Sequence, residues 1–182
     1  MKTWPVLAAA LLSALLHGAE PAKVVPWRLD IRVYSGKSDR LSKNEQYDDR
    51  AVKLGFKVEI KNLDFKKKLE KARATLVAFG KHVNSGSRLK VMLRHEFPVE
   101  IEVNQVQTEQ SGEVLFEYDE RESAQFGYKY IGYVLVIHND KGEIIGSRGT
   151  PPMFVTNIDK ILPLKPNTVI DRDFRPAGGA PF

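Results

Sequence analysis

Cysteine is absent from this 182-residue chain, and that absence removes several options at once. No disulfide can staple the fold, so packing alone has to stabilise it. Thiol nucleophiles, thiolate metal sites and the lipidated cysteine of a bacterial lipoprotein are excluded too. Histidine is scarce: beyond residue 19 there are only His82, His95 and His138, and no two of them have the short local spacing of a zinc motif. The chain contains no GxSxG nucleophile elbow, no phosphate-binding loop and no HExxH. Long apolar runs are missing as well. The run at residues 6–16 (VLAAALLSALL) has eleven residues, whereas a membrane-spanning helix needs about twenty.

That short run carries the clearest positive signal. Lys2 precedes it, Gly18-Ala19 follow it, and Glu20-Pro21 come next. A charged start, a short apolar middle and a small-residue exit make residues 1–19 a signal peptide, cleaved after Ala19 or at Gly18 or Ala22. Residues 20–26 then form a flexible start. The expected product is exported, periplasmic or at the cell surface or secreted, with no transmembrane segment in the mature chain. An exported, cysteine-free chain with an Ala/Leu-rich leader looks bacterial.

The formal charge is +5, of which Lys2 in the leader supplies one. The cations are unevenly spread: Lys53, Lys57, Lys61, Lys66, Lys67, Lys68, Lys71 and Arg73 fall close together. Two readings remain open, a solvated strand face and loop, or a patch for an anionic glycan, a lipid head group or an acidic protein. Nucleic acid is not expected for an exported protein.

Period-two alternation recurs and predicts strands. Trp27, Leu29, Ile31 and Val33 share one face, before a polar stretch at 35–50 that reads as a long loop. Val52, Leu54, Phe56, Val58 and Ile60 alternate with lysines and Glu59. Residues 65–71 are ambiguous between a turn or two of helix and a charged connection. Residues 73–82 and 88–95 read as two strands around Asn84-Ser85-Gly86-Ser87, with Gly86 available for positive φ. Pro98 is expected to end pairing. Val99, Ile101 and Val103 form one further strand, and Val114, Phe116 and Tyr118 another. The clearest hairpin spans 128–148, with Gly142 placed where a type I turn and bulge need a left-handed residue. Pro151-Pro152 ends it, a short apolar segment follows at Ile158, Ile161, Leu162 and Leu164, and residues 175–182 read as a disordered tail.

About eight short strands with almost no helix predict an all-β fold. The expectation is an antiparallel two-sheet sandwich, immunoglobulin-like or fibronectin-type-III-like, over residues 27–174. A small closed barrel is the second architecture. Each strand should have one apolar and one wet face. Phe56, Val58, Leu76, Val134 and Val136 are the expected core.

The segment FGYKYIGYVLVIHNDKGEIIG (126–146) resembles a recurrent run in secreted, uncharacterised β-sandwich proteins of verrucomicrobial bacteria. The similarity extends from ARATLVAFGKHV (72–83) to Leu162-Pro163-Leu164-Lys165. It implies a secreted sandwich domain and supplies no catalytic residues.

For chemistry the chain offers little. The run Asp119-Glu120-Arg121-Glu122 holds paired carboxylates, but acids following a strand are expected to be solvated. Asn139-Asp140 could suit calcium, although turn chemistry explains both. Tyr128, Tyr130 and Tyr133 are either packing residues or an exposed aromatic platform for a sugar ring or a protein. These residues predict an exported noncatalytic module for protein binding or envelope or surface assembly, without metal or cofactor. Its partner would be a protein or an anionic glycan of the envelope, contacted through Lys66, Lys67, Lys68, Tyr128 and Tyr130. The alternative is a carbohydrate-binding or weakly hydrolytic envelope protein.

Overall fold

The structure is a computed structural model that describes residues 27–42, 50–119, 121 and 125–177, with side chains omitted at 38–42. The expected signal peptide at 1–19 and flexible start at 20–26 lie outside the described residues, as do Glu120, Glu122 and residues 178–182. In chain order the elements are β1 (Leu29–Ser42), β2 (Arg50–Asn62), β3 (Leu69–His82), β4 (Leu89–Ile101), β5 (Val106–Gln110), β6 (Val114–Asp119), β7 (Phe126–His138), β8 (Ile144–Thr150), α1 (Met153–Thr156), α2 (Ile158–Ile161) and β9 (Val169–Ile170).

All strand pairs are antiparallel, as expected for this all-β chain. The hydrogen-bonded path runs β1-β2-β6-β7-β3-β4-β9, with β5 on β2 and β8 on β7. It is one open sheet, and among the described residues its two halves join through Tyr118↔Gly127 and Asp119↔Phe126.

Alternation in β2 works as the sequence implied. Leu54, Phe56, Val58 and Ile60 are almost fully buried, and Lys57 opposite them is exposed. This row packs on Ala74, Leu76 and Ala78 of β3, Phe97 and Val99 of β4, and Leu135 and Ile137 of β7. The expectation of one wet face per strand fails for β3 and β7. Val77, Phe79, Val134 and Val136 point the other way into a second core. That core is covered by the segment after β8, with Phe154, Ile158, Ile161, Leu164 and Phe174 all buried. Phe79 and Phe154 stack with centroids 4.4 Å apart. Strands covered on both faces show near-continuous apolar runs, which is why TLVAF (75–79) and VLVI (134–137) have no polar partner positions. The five expected core residues are all buried.

Several local expectations change. Residues 35–42 belong to β1, paired with Arg50 to Phe56 of β2, and do not form a loop. Pro98 does not end pairing: it sits opposite Arg73 inside β4. At that point β4 has a strand on one side only, where a residue lacking N–H is tolerated. A side chain serves its open edge, since Gln107 Nε2 donates to Pro98 O at 2.9 Å and Gln107 Oε1 accepts from Glu100 N–H at 3.0 Å. Gly142 has φ +77 as its turn requires, whereas Gly86 is not among the positive-φ residues. The ambiguous stretch 65–71 forms no helix; Leu69 starts β3 and Lys71 at φ 54 marks a register shift. Of the tail, Pro176 bridges to Ile170 and Ala177 N–H donates to Val169 O, so residues 175–177 stay tied to β9.

Candidate functional site

Lys66, Lys67 and Lys68 lie in the β2–β3 connection, and a buried asparagine sets their backbone. Asn62 is fully buried; its Nδ2 donates to Lys67 O at 2.8 Å and to Ile101 O at 3.3 Å, and its Oδ1 accepts from Asp64 N–H. Asp64 Oδ1 in turn accepts the N–H groups of Lys66 and Lys67 at 2.8 and 3.1 Å. The Lys66 N–H, with that of Lys67, holds the Asp64 carboxyl below the usual carboxylate range. This chain of turns leaves all three lysine side chains exposed. Lys68 is engaged: it meets Glu102 at 2.7 Å and Glu70 at 3.3 Å, and hydrogen bonds to these two carboxylates raise its pKa. Phe65 beside them is exposed, with Arg28 5.9 Å from its ring centre.

The tyrosines divide. Tyr133 is buried in the first core. Tyr130 is half-buried against the same core, its ring 5.5 Å from Phe116 and 5.9 Å from Phe56. Burial pushes its phenol up to about 12, Tyr133 adds to the shift, and a hydrogen bond with Ser35 opposes it. Tyr128 is half-buried, edge-on to His82 at 5.1 Å, with Lys90 Nζ 5.4 Å from its ring centre. Burial raises its phenol as well. Tyr128 and Tyr130 therefore do not form an open aromatic platform.

The histidines and acids are occupied structurally. His82 Nδ1 accepts from Ser85 N–H at 3.2 Å and closes the β3–β4 turn. His95, opposite Leu76 in the ladder, meets Glu109 of β5 at 3.1 Å. Burial holds the His138 imidazole below its ordinary value. Asn139 Oδ1 takes the N–H groups of Lys141 and Glu143, and its Nδ2 donates to Glu143 Oε2. Those are turn bonds, and no group of three metal-ligating side chains occurs among the described residues. Asp119 departs from expectation: it is fully buried at the end of β6, not solvated. The Arg121 backbone N–H donates to Asp119 Oδ1 at 2.9 Å, and Arg121 Nε lies 3.0 and 3.1 Å from the two carboxylate oxygens. A carboxylate held this way is a structural anchor.

Two shallow depressions mark the outward face of β1, β2 and β5. One, about 470 Å³, lies over the facing glycines Gly36 and Gly55, with Tyr34, Lys57, Gln110 and Ser111 around it. A Cβ on either glycine would meet nothing within 4 Å. The other, about 200 Å³, is lined by Asp30, Arg32, Glu59, Lys61 and Val106. Here charges are mutually matched: Arg32 meets Asp30 at 2.8 Å and Lys57 meets Glu59 at 2.7 Å. The sequence pattern did not single out Tyr34, because it is one of four outward residues in an alternating strand.

No family model matches the sequence, and no curated protein compared with it does. Solved structures give weak similarities. A Bacteroides uniformis β-glucuronidase aligns with TM-score 0.40 and 8% identity over 64% of this chain, which spans 12% of that enzyme's length. A Northeast Structural Genomics Consortium target aligns at 0.32 and 14% identity, covering 69% of this chain and 89% of that one. A protein from Akkermansia muciniphila, a verrucomicrobial bacterium, aligns at 0.32 and 10% identity, covering 68% and 71%.

Proposed function

We propose that this chain is an exported, noncatalytic β-sandwich module, immunoglobulin-like or fibronectin-type-III-like, that binds a protein partner in the envelope or at the cell surface. The sandwich reading rests on the first core, where β2 side chains pack face to face with β3, β4 and β7. The noncatalytic reading rests on the occupation of Asp119 by Arg121, of His82 by a turn bond and of His95 by a cross-strand bond. One observation carries the binding reading: β1 is a fourteen-residue strand that hydrogen-bonds to β2 alone. Among the described residues its other edge carries no strand, and an extended segment of a partner can add to such an edge. Tyr34, 47% exposed, and the open Gly36–Gly55 depression lie on the adjoining face.

Photo-crosslinking tests this. A crosslinking residue at Tyr34, used in the native envelope fraction, should give one discrete protein adduct, and one at Glu100 on β4 should give none. Equal adducts at both positions would remove β1 as the interface. Turnover of a glycan or peptide by the purified protein, lost in Glu122→Gln, would overturn the noncatalytic reading in favour of the hydrolytic one.

A further inference from the structure

Arg32, Lys57, Lys68 and Arg94 are matched by carboxylates; cations at the β3–β4 turn are not. Lys81 of β3 and Arg172 of the segment after β9 come together there beside Arg88 of the turn, and none of the three forms an ion pair. A Cβ at Gly86 would stand 3.6 Å from Lys81 Nζ and 3.9 Å from Arg172 Nη2. An ammonium and a guanidinium thus converge over a bare glycine, neither of them in an ion pair. Lys81 also sits directly opposite Lys129 in the β3–β7 ladder, and facing like charges are destabilising. Lys129 is itself 5.6 Å from the Tyr118 ring centre. On the other flank, Lys90 lies against the Tyr128 ring.

The surroundings are polar. Ser85 Oγ and Ser87 Oγ lie 3.2 Å apart on either side of Gly86, and Asn84 is exposed beside them. Phe126, 47% exposed, begins the neighbouring strand, where Val83 N–H donates to Gly127 O. Paired cations, hydroxyls and an apolar ring are the groups that hold an acidic sugar: charge for the oxyanion, hydroxyls for its hydroxyls, and the ring for its C–H face.

We propose that the β3–β4 turn is a binding site for the sulfate or carboxylate groups of an anionic polysaccharide, held by Lys81 and Arg172 and flanked by Arg88. The site shares no residue with the β1 edge and does not depend on the protein-partner reading. It also lies at the opposite end of β3 from Lys66–Lys68, about 40 Å away along a fourteen-residue strand.

Binding of fluorescent dextran sulfate and of polygalacturonate is measured by anisotropy, with neutral dextran, a single-stranded DNA oligonucleotide and phosphatidylglycerol vesicles alongside. At least one of the two anionic glycans should bind at low salt and release on adding salt, and which one binds tells sulfate from carboxylate. The Lys81→Ala/Arg172→Ala variant should bind roughly tenfold or more weakly, and Lys81→Arg should retain binding. Lys66→Ala/Lys67→Ala/Lys68→Ala should change affinity less than about twofold, since these lysines lie at the far end. Thermal midpoints should match the parent, because the replaced side chains are exposed. Absence of binding to both anionic glycans, equal binding of neutral dextran, tighter binding of the oligonucleotide or the vesicles, or equal losses in the two alanine variants would each overturn the proposal.

Discussion

Replacing Tyr130 separates packing from recognition. Its ring contacts Phe116 and Phe56 at 5.5 and 5.9 Å and sits against the first core. Truncating a fully buried Phe costs about 3–5 kcal/mol, and aromatic pairs add about 0.5–1.5 kcal/mol each beyond area burial. A half-buried ring with two such pairs should therefore cost about 2–4 kcal/mol in Tyr130→Ala. A domain of this size has an expected stability of about 5–15 kcal/mol and here has no disulfide to fall back on. With a urea slope of about 2 kcal/mol per molar, the midpoint should drop by about 1–2 M. Tyr130→Phe keeps both ring contacts and should lose no more than about 1 kcal/mol, the worth of one hydroxyl hydrogen bond. Urea titrations followed by far-UV circular dichroism read both numbers. An unchanged midpoint for Tyr130→Ala, together with lost partner binding, would refute the packing argument and return Tyr130 to the surface.

Alkaline pH should weaken the fold through the same residue. The phenol titrates near 12 when folded and near 10 when unfolded, so the folded state holds the proton longer and stability falls as pH rises from about 10 to 12; urea midpoints should show this loss, and Tyr130→Phe should reduce it, leaving the part due to Tyr128. Gly132→Ala would place a Cβ 1.8 Å from Thr150 O and should cost about 2–3 kcal/mol by forcing β7 from β8. Gly55→Ala, with nothing within 4 Å, should stay within about 0.5 kcal/mol in the same thermal melts. Arg121→Ala withdraws the guanidinium from the fully buried Asp119 carboxylate and should cost about 2–4 kcal/mol, with Arg121→Lys recovering only part because it lacks the fork. Mass spectrometry of the native protein should find a new amino terminus between residues 19 and 23, and Met1 on a cytoplasmic protein would refute export.

Where burial is one-sided, the fold was legible. In β2 every second residue meets the core and the lysines between them meet water, so alternation states both strand and face. Polar strands were not legible for the complementary reason. Residues 35–37 and β5 (VQTEQ) lie in ladders but bury few side chains, so hydrogen bonding holds them without leaving an apolar pattern. Pro98 misled because a single residue does not reveal whether its strand has a neighbour on one side or two. Tyr128, Tyr130 and Tyr133 looked equivalent in sequence. Only the register shift between Phe79 and Gly80 in the β3–β7 ladder, together with the neighbours of each ring, distributes them between the core and the turn.

The candidate binding residues show the same limit more sharply. Lys66, Lys67 and Lys68 stand out because they are contiguous, yet contiguity in a tight turn spreads side chains apart, and one of the three is taken up by Glu70 and Glu102. Lys81 and Arg172 are far apart in sequence and unremarkable in composition. The hairpin and the return of β9 along Leu89 and Lys90 bring them over one glycine. Charge density along a chain measures solvation, because neighbouring side chains can each find their own water and counterions. Charge convergence between distant segments measures unrelieved repulsion, because the fold holds the groups together whether or not an anion is present. Repulsion of that second kind is what a bound anion relieves, and so the turn, not the lysine run, is the stronger candidate for recognition.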